Sequence, residues 1–509
     1  MLLSGIFVFM QAIEAKEDKC TSSASADGWR ADLGQLAVLA GPIVLSTAAE
    51  TMLSFTDFAI VSQLGSAAQA AVQTGTMVFM SIYAPLLGIM LCVTTVVSQS
   101  FGAKRFADCS AYAWQGIWLS LLIGGLAILL LPLLPPFFAL FGHAQDVFEM
   151  EVTYTRLRIW SLGAAGACLA LGNFFNGIHQ PVQNTISVLV TIVLNALLSY
   201  GLVFGRWGLP EMGIAGAAWG TIISTVFRVG WLLVVMCTSR QTTQFQPLQT
   251  IRWNTDKVVR LVRVGFPSGV GLMLDISAWA LFMTWIIGQF GTAHMAATAT
   301  AWRYTELSFM PGIGIGFAVS TLVGKSIGEG RFDLAYRRTR LGVIVTTLYM
   351  GSLGVVFLLF GRELMDLFSD DPEVIAIGAQ LLIFAAVFQL SDAACVTYSN
   401  ALRGAGDTRY LMFVGTTLIW SITVGGSLLT IRLWPQLGSA GPWACATLFV
   451  IVLGFALWRR WRSGEWEKID VIGREPAPAE ETAPGVAAQV TMMDPTVGEE
   501  NASASQQVA

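Results

Sequence analysis

From Leu33 to Trp461 the chain repeats one pattern: about 20 mostly apolar residues, then a short loop carrying Gly, Pro or charge. Roughly twelve such stretches recur, each long enough as a helix to cross the hydrocarbon core of a bilayer. That pattern leaves one fold class, an all-α integral membrane protein. The bulk composition agrees, with 54% hydrophobic residues, 12% charged residues and a mean hydropathy of +0.64.

A net charge of −4 points to neither nucleic acid nor an anionic surface as partner. The placement of charge is more informative. Basic residues gather in alternate loops: Lys104 and Arg105; Arg240, Arg252, Lys257, Arg260 and Arg263; Lys325, Arg331, Arg337, Arg338 and Arg340; Arg403 and Arg409; Arg459, Arg460 and Arg462. The intervening loops are poor in Lys and Arg, and two are acidic, around Asp146 and Asp370. By the positive-inside rule the basic loops and both termini are cytoplasmic.

The seven Cys show no CxxC spacing and the three His do not cluster with them, so neither a disulfide framework nor a zinc site is indicated. No basic segment precedes the apolar first residues and "EAKEDKC" follows them, which argues against a cleaved signal peptide. Beyond Trp466, "REPAPAEETAPGVAAQ" has no apolar period and reads as a disordered tail.

The chain also repeats itself. Shifted by 226 residues it matches without a gap over a long window, pairing Gly65 with Gly291, Pro85 with Pro311, Gly88 with Gly314 and Gly102 with Gly328. The clearest part sets "VTTVVSQSFGAKRF" from Val93 over "VSTLVGKSIGEGRF" from Val319. Six helices per half is an even number, so the halves are parallel repeats about an axis along the membrane normal. The resulting domain plan is an N-terminal extension (1–32), an N-lobe (33–237), a cytoplasmic linker (238–256), a C-lobe (257–466) and a tail (467–509), with a central cavity between the lobes.

Five acids fall inside the spans: Glu50 and Asp57 in the first, Asp275 in the seventh, Glu306 in the eighth and Asp392 in the tenth. An acid at a helix centre costs about 2.5 to 3.5 kcal/mol on insertion scales. None has an acidic counterpart in the other half, and such asymmetry favours function over scaffolding. Glu306 has a simpler explanation, because Arg303 lies one turn away. Asp275 and Asp392 have no basic residue within a turn or two. Glu50 precedes Asp57 by seven residues, on the same helix face, as two acids of a polar cavity would. A buried carboxylate can couple transport by exchanging a proton or by holding a hard cation.

Other motifs are absent or ambiguous. No G-x-x-x-x-G-K-[ST], HExxH or G-x-S-x-G occurs, so neither a P-loop ATPase nor a familiar enzyme site is visible, and no cofactor is called for. "PGIGIGF" at Pro311 reads as close helix packing. Pro42 and Pro267 begin the first and seventh spans at nearly the repeat spacing, as helix bends or as ordinary helix-start prolines. Arg303 is the only cation that stands out in mid-span.

At this point the motifs coincide with a known family. "GPIVLSTAAETMLSFTDFAIVSQLG" from Gly41, "GFPSGVGLMLD" from Gly265, "FMPGIGIGFAVSTLVGKSIGEGR" from Phe309 and "FQLSDAACVTYSNALRGAGDTR" from Phe388 resemble the multidrug and toxic compound extrusion (MATE) transporters. The likeness is greatest to their NorM-like and DinF-like members and spans about Leu33 to Trp466. It implies a twelve-helix, two-lobed antiporter that expels cationic or amphiphilic drugs against entering Na+ or H+. On this resemblance Asp57 and Asn195 form an N-lobe cation site and Asp275 and Asp392 a C-lobe one, either able to hold Na+. Glu50 stands where relatives often have Gln, and Ser199 where many have an acid or amide; with Arg303 and Glu306 these are candidate cavity residues. The expected protein is a monomer in the cytoplasmic membrane, with drugs or organic cations and the bilayer as partners. The runner-up is a lipid-linked precursor flippase of the same superfamily, which needs a more cationic cavity.

Overall fold

The structure is a computed structural model that describes residues 28–239 and 242–473, and among these residues it is helical without strands. Eleven helices are long and apolar enough to cross a membrane. In chain order they are α1 (Trp29–Ser62), α2 (Ser66–Gly102), α3 (Phe106–Ala139), α5 (Pro181–Phe204), α6 (Ile214–Thr238), α7 (Thr255–Phe290), α8 (Thr292–Gly328), α9 (Phe332–Leu359), α10 (Pro372–Ala405), α11 (Thr408–Leu433) and α12 (Ala440–Arg462). The twelfth, α4, is broken at Ser161 into Gln145–Trp160 and Leu162–Gly177, each too short to span alone.

The internal repeat reappears as backbone geometry. Gly65 and Gly291 end the tight α1–α2 and α7–α8 turns at φ +104° and +94°, a region that only glycine enters cheaply. Gly88 of α2 lies against the backbone of Gly269 on α7, and its partner Gly314 of α8 lies against that of Val44 on α1. Gly102 meets Lys325 and Gly328 meets Gln99; both pairs obey the repeat shift, so the contact is reciprocal. Glycine allows helix backbones to approach this closely.

These contacts lie in the halves of the helices nearer the basic loops, and there the two lobes interlock. The first half of α1, through Leu36, Leu39 and Ile43, packs with Val319, Leu402 and Leu457 of the C-terminal lobe. In return the start of α7, through Val258, Leu261 and Val264, packs with Val93, Tyr112 and Phe174 of the N-terminal lobe. The far ends return to their own lobes, Ile60 and Val61 to Tyr154 and Ala217, and Ala278 and Phe282 to Phe388 and Trp443. The lobes are therefore joined at the basic end and part toward the other.

Order extends beyond the limits expected at both termini. Helix α1 starts at Trp29, inside the expected extension, because Asp32 is buried against Arg337 and Arg338. At the other end the expected tail begins too early. Trp466 stacks on Trp461 with ring centroids 4.2 Å apart, and Val471 and Ile472 are buried in the N-terminal lobe. Arg105 and Arg260, one from each lobe, both donate to the Ile472 carbonyl at 3.1 and 2.7 Å. The remaining tail, 474–509, and most of the N-terminal extension lie outside the described residues.

Candidate functional site

The N-terminal lobe builds a compact oxygen-rich cluster at the far end of α1. Asp57 accepts from Ser199 Oγ of α5 at 3.3 Å and from Thr221 Oγ1 of α6 at 3.2 Å. Asn195, one turn before Ser199, is fully buried and donates toward Thr221 and Ser224 at 3.4 and 3.5 Å. The Asn195 carbonyl oxygen has no partner, although it is buried. A carboxylate, an amide oxygen and hydroxyls converge here in a donor set suited to a hard cation, with the positive charge of Arg158 on α4 acting on the Asp57 carboxylate. Ser199, which stands where many relatives have an acid or amide, supplies one of the hydrogen bonds to Asp57.

Glu50 does not join this cluster. Two turns earlier on α1, its carboxylate meets Arg228 of α6 at 3.1 Å, and the same guanidinium donates to Asn184 at 2.9 Å and Ser187 at 3.2 Å. Glu50 and Asp57 share a helix face, but the two acids serve separate networks. Arg228 also corrects the expectation that Arg303 alone stands as a mid-span cation. Arg228 is 11% exposed, whereas Arg303 is 79% exposed and holds Glu306 at 3.3 Å as its spacing implied. Arg158, with its guanidinium 4.5 Å over the Phe79 ring, is a second interior cation.

The C-terminal lobe encloses a different kind of site, a cavity of about 520 Å³ among α7, α8, α10, α11 and α12. Asp275 and Asp392 both line it, near enough for their charges to interact, and neither has an ion-pair partner among the described residues. Trp279, Trp302, Phe388 and Phe449 form much of its wall. Aromatic faces attract cations, so carboxylates framed by rings suit an organic cation as well as an inorganic one. Two π-helical turns, Phe282–Ile286 in α7 and Ile419–Gly425 in α11, flank this region, a departure from regular helix that often accompanies function.

Pro267 lines the same cavity, and Pro42 offers its carbonyl to Thr185 Oγ1 at 2.8 Å; both lie inside continuous helices. The site thus gains Thr221, Ser224, Arg158, Arg228 and Arg403 over the sequence reading. The two arginines within α4 and α6 could have been found by the search that found the acids. The hydroxyls carry no such signal, since Ser and Thr in apolar helices usually bond to their own backbone.

Comparison with known proteins gives a consistent answer. The MatE family profile matches residues 42–201 and 267–425, one block in each lobe. A probable multidrug resistance protein NorM of Chromobacterium violaceum is 29% identical over 84% of this chain and 93% of its own length. The multidrug resistance protein PmpM of Pseudomonas aeruginosa is 28% identical over 81% and 88%. Among solved structures, a MOP superfamily transporter of Pyrococcus furiosus superposes with a TM-score of 0.78 at 20% identity, covering 86% of this chain and 97% of that one. The eukaryotic MATE transporter AtDTX14 gives 0.75 at 18%, covering 87% and 98%.

Proposed function

The chain belongs to the MatE family of multi-pass membrane transporters, and on that footing we propose that it is a secondary active multidrug exporter. It moves cationic or amphiphilic small molecules out through the cytoplasmic membrane, with its basic loops inside, in exchange for Na+ or H+. The observation that carries this reading is the pair Asp275 and Asp392, on different helices, facing one aromatic-lined cavity with neither acid in an ion pair among the described residues. Two negative charges there attract either an organic cation or the coupling ion. Occupancy by one lowers the affinity for the other, which is the exchange an antiporter requires. The N-lobe cluster of Asp57, Asn195, Ser199 and Thr221 is too small and too oxygen-rich for a drug, and it serves the coupling ion.

Alternating access follows from the interlocked basic ends. With the lobes joined there and parted opposite, the cavity faces outward, and loading the acids with the coupling ion favours rocking to the inward state. The test is transport in proteoliposomes, with an inward Na+ gradient and a pH gradient imposed separately and a fluorescent lipophilic cation followed. Uphill movement under one gradient, abolished by Asp275→Asn and by Asp392→Asn in protein that remains folded, is the expected result. Full activity in both variants removes the C-lobe assignment.

A further inference from the structure

Arg403 lines the C-lobe cavity together with Asp275 and Asp392, and the functional reading leaves it without a role. It differs from three of the other interior arginines and shares with Arg158 the lack of a paired carboxylate among the described residues, but unlike Arg158 it lines this cavity. Arg228 has Glu50, Arg338 has Asp32 and Arg460 has Asp407, each within 3.5 Å. Arg403 has no carboxylate within ion-pair distance among the described residues. Its Nη1 donates to Asn400 Oδ1 at 2.8 Å, while its buried Nε has no partner at all. Withdrawing a guanidinium from water is costly, and an uncompensated one is a site for an anion. Its planar fork suits a carboxylate or phosphate in a bidentate contact.

Position makes the charge useful. Asp392 and Arg403 are eleven residues apart on α10, close to three full turns, so they share one helix face about 16 Å apart along the axis. The side chain of Arg403 leans back toward Asp392, as helical side chains do, which shortens that span. Between the two poles the cavity presents Val396, Phe317 and Ile313 to an apolar body.

We propose that Arg403 is the anion-binding pole of this cavity, which therefore takes zwitterionic amphiphiles. Their cationic group lies at Asp275 and Asp392 and their carboxylate or phosphate at Arg403. The inference rests on the reading of the cavity as a substrate site and adds a second charge to it. A pocket holding acids alone discriminates strongly against any ligand bearing a carboxylate, whereas a bipolar one accepts it.

The probe pair is a rhodamine ethyl ester, a cation, and its free acid, the corresponding zwitterion. Binding of each to the full chain in nanodiscs is read by fluorescence polarisation without any gradient. In wild type the acid binds at least as tightly as the ester. In Arg403→Gln the ratio of acid Kd to ester Kd rises threefold or more, and in Arg403→Lys part of that change is recovered. A rise below threefold in folded Arg403→Gln overturns the assignment. Should that variant not fold, the wild-type ratio decides, and weaker binding of the acid than of the ester overturns it. Ester bound with acid refused removes only the Arg403 pole, whereas neither probe bound removes the substrate cavity as well.

Discussion

A methyl group added at Gly88 tests how the two lobes are held together. Its Cβ would lie 2.8 Å from the Ser268 carbonyl carbon and closer still to the Gly269 backbone, on a helix of the opposite lobe. Carbon atoms prefer roughly 3.5 to 4.0 Å, so α2 and α7 must separate by about 1 Å, and no side chain can rotate away because both surfaces are backbone. Overpacking of this kind costs about 1 to 3 kcal/mol. Alanine also gains about 1 kcal/mol in helix propensity over glycine. That gain is common to every conformation in which α2 is helical, so it cancels in the equilibrium between lobe arrangements. The full penalty then falls on the state joined at the basic end, a shift of about 5- to 150-fold toward the opened one. Spin labels at Ala107 and Asp333, exposed residues related by the repeat shift, report the basic-side separation by double electron–electron resonance. Gly88→Ala is expected to add a longer-distance population absent from wild type. An unchanged distance distribution in folded protein refutes the argument that this glycine sets the lobe contact.

Other consequences follow from particular contacts. Arg228→Met removes a guanidinium that bonds half-exposed Glu50 and also Asn184 and Ser187, and should destabilise the protein by about 1.5 to 3 kcal/mol in detergent melting experiments. Glu50→Gln keeps an acceptor for Arg228 and should cost only about 1 kcal/mol; equal damage from both would show that the charge of Glu50 matters more than its hydrogen bond. Ending the chain at Ser463 removes Trp466, Val471 and Ile472 from the core at roughly 1.5 to 3 kcal/mol for each large apolar side chain, and the melting temperature should fall clearly. Ser199→Ala deletes one hydrogen bond that stabilises the ionised Asp57 carboxylate, about 1.5 kcal/mol, so with H+ as the coupling ion the half-saturating concentration should fall roughly tenfold; a rise would show instead that the Ser199 oxygen binds the ion.

The fold was legible in the sequence because hydrophobic length and the 226-residue repeat are both local, countable signals. Even the reciprocal glycine contacts were present as paired letters, although which helices they join became visible only in three dimensions. The acids were legible for a similar reason: a carboxylate in an apolar helix is costly wherever it sits, so its presence demands an explanation. What each acid meets was not. Glu50 and Asp57 share a face, yet their partners lie on α5 and α6, more than a hundred residues later, and only packing separates Arg228 from Ser199. The segment after α12 was hidden because its order depends on two tryptophans and a carbonyl held by both lobes, and it has no period of its own. Likewise α4, interrupted at Ser161 and carrying Arg156 and Arg158, is the span that departs most from a uniform apolar stretch.

The central claim is exchange, and exchange must run in both directions. Coupling free energy is reciprocal, so an ion gradient that drives the drug implies a drug gradient that drives the ion. The decisive measurement loads proteoliposomes with a lipophilic cation, with Na+ and pH equal on both sides, and follows internal Na+ and H+ as the cation leaves. The account predicts that one of the two ions accumulates inside against its own gradient, and that Asp275→Asn abolishes the accumulation. Efflux of the cation at full rate with neither ion moving would contradict it and leave a facilitator without coupling.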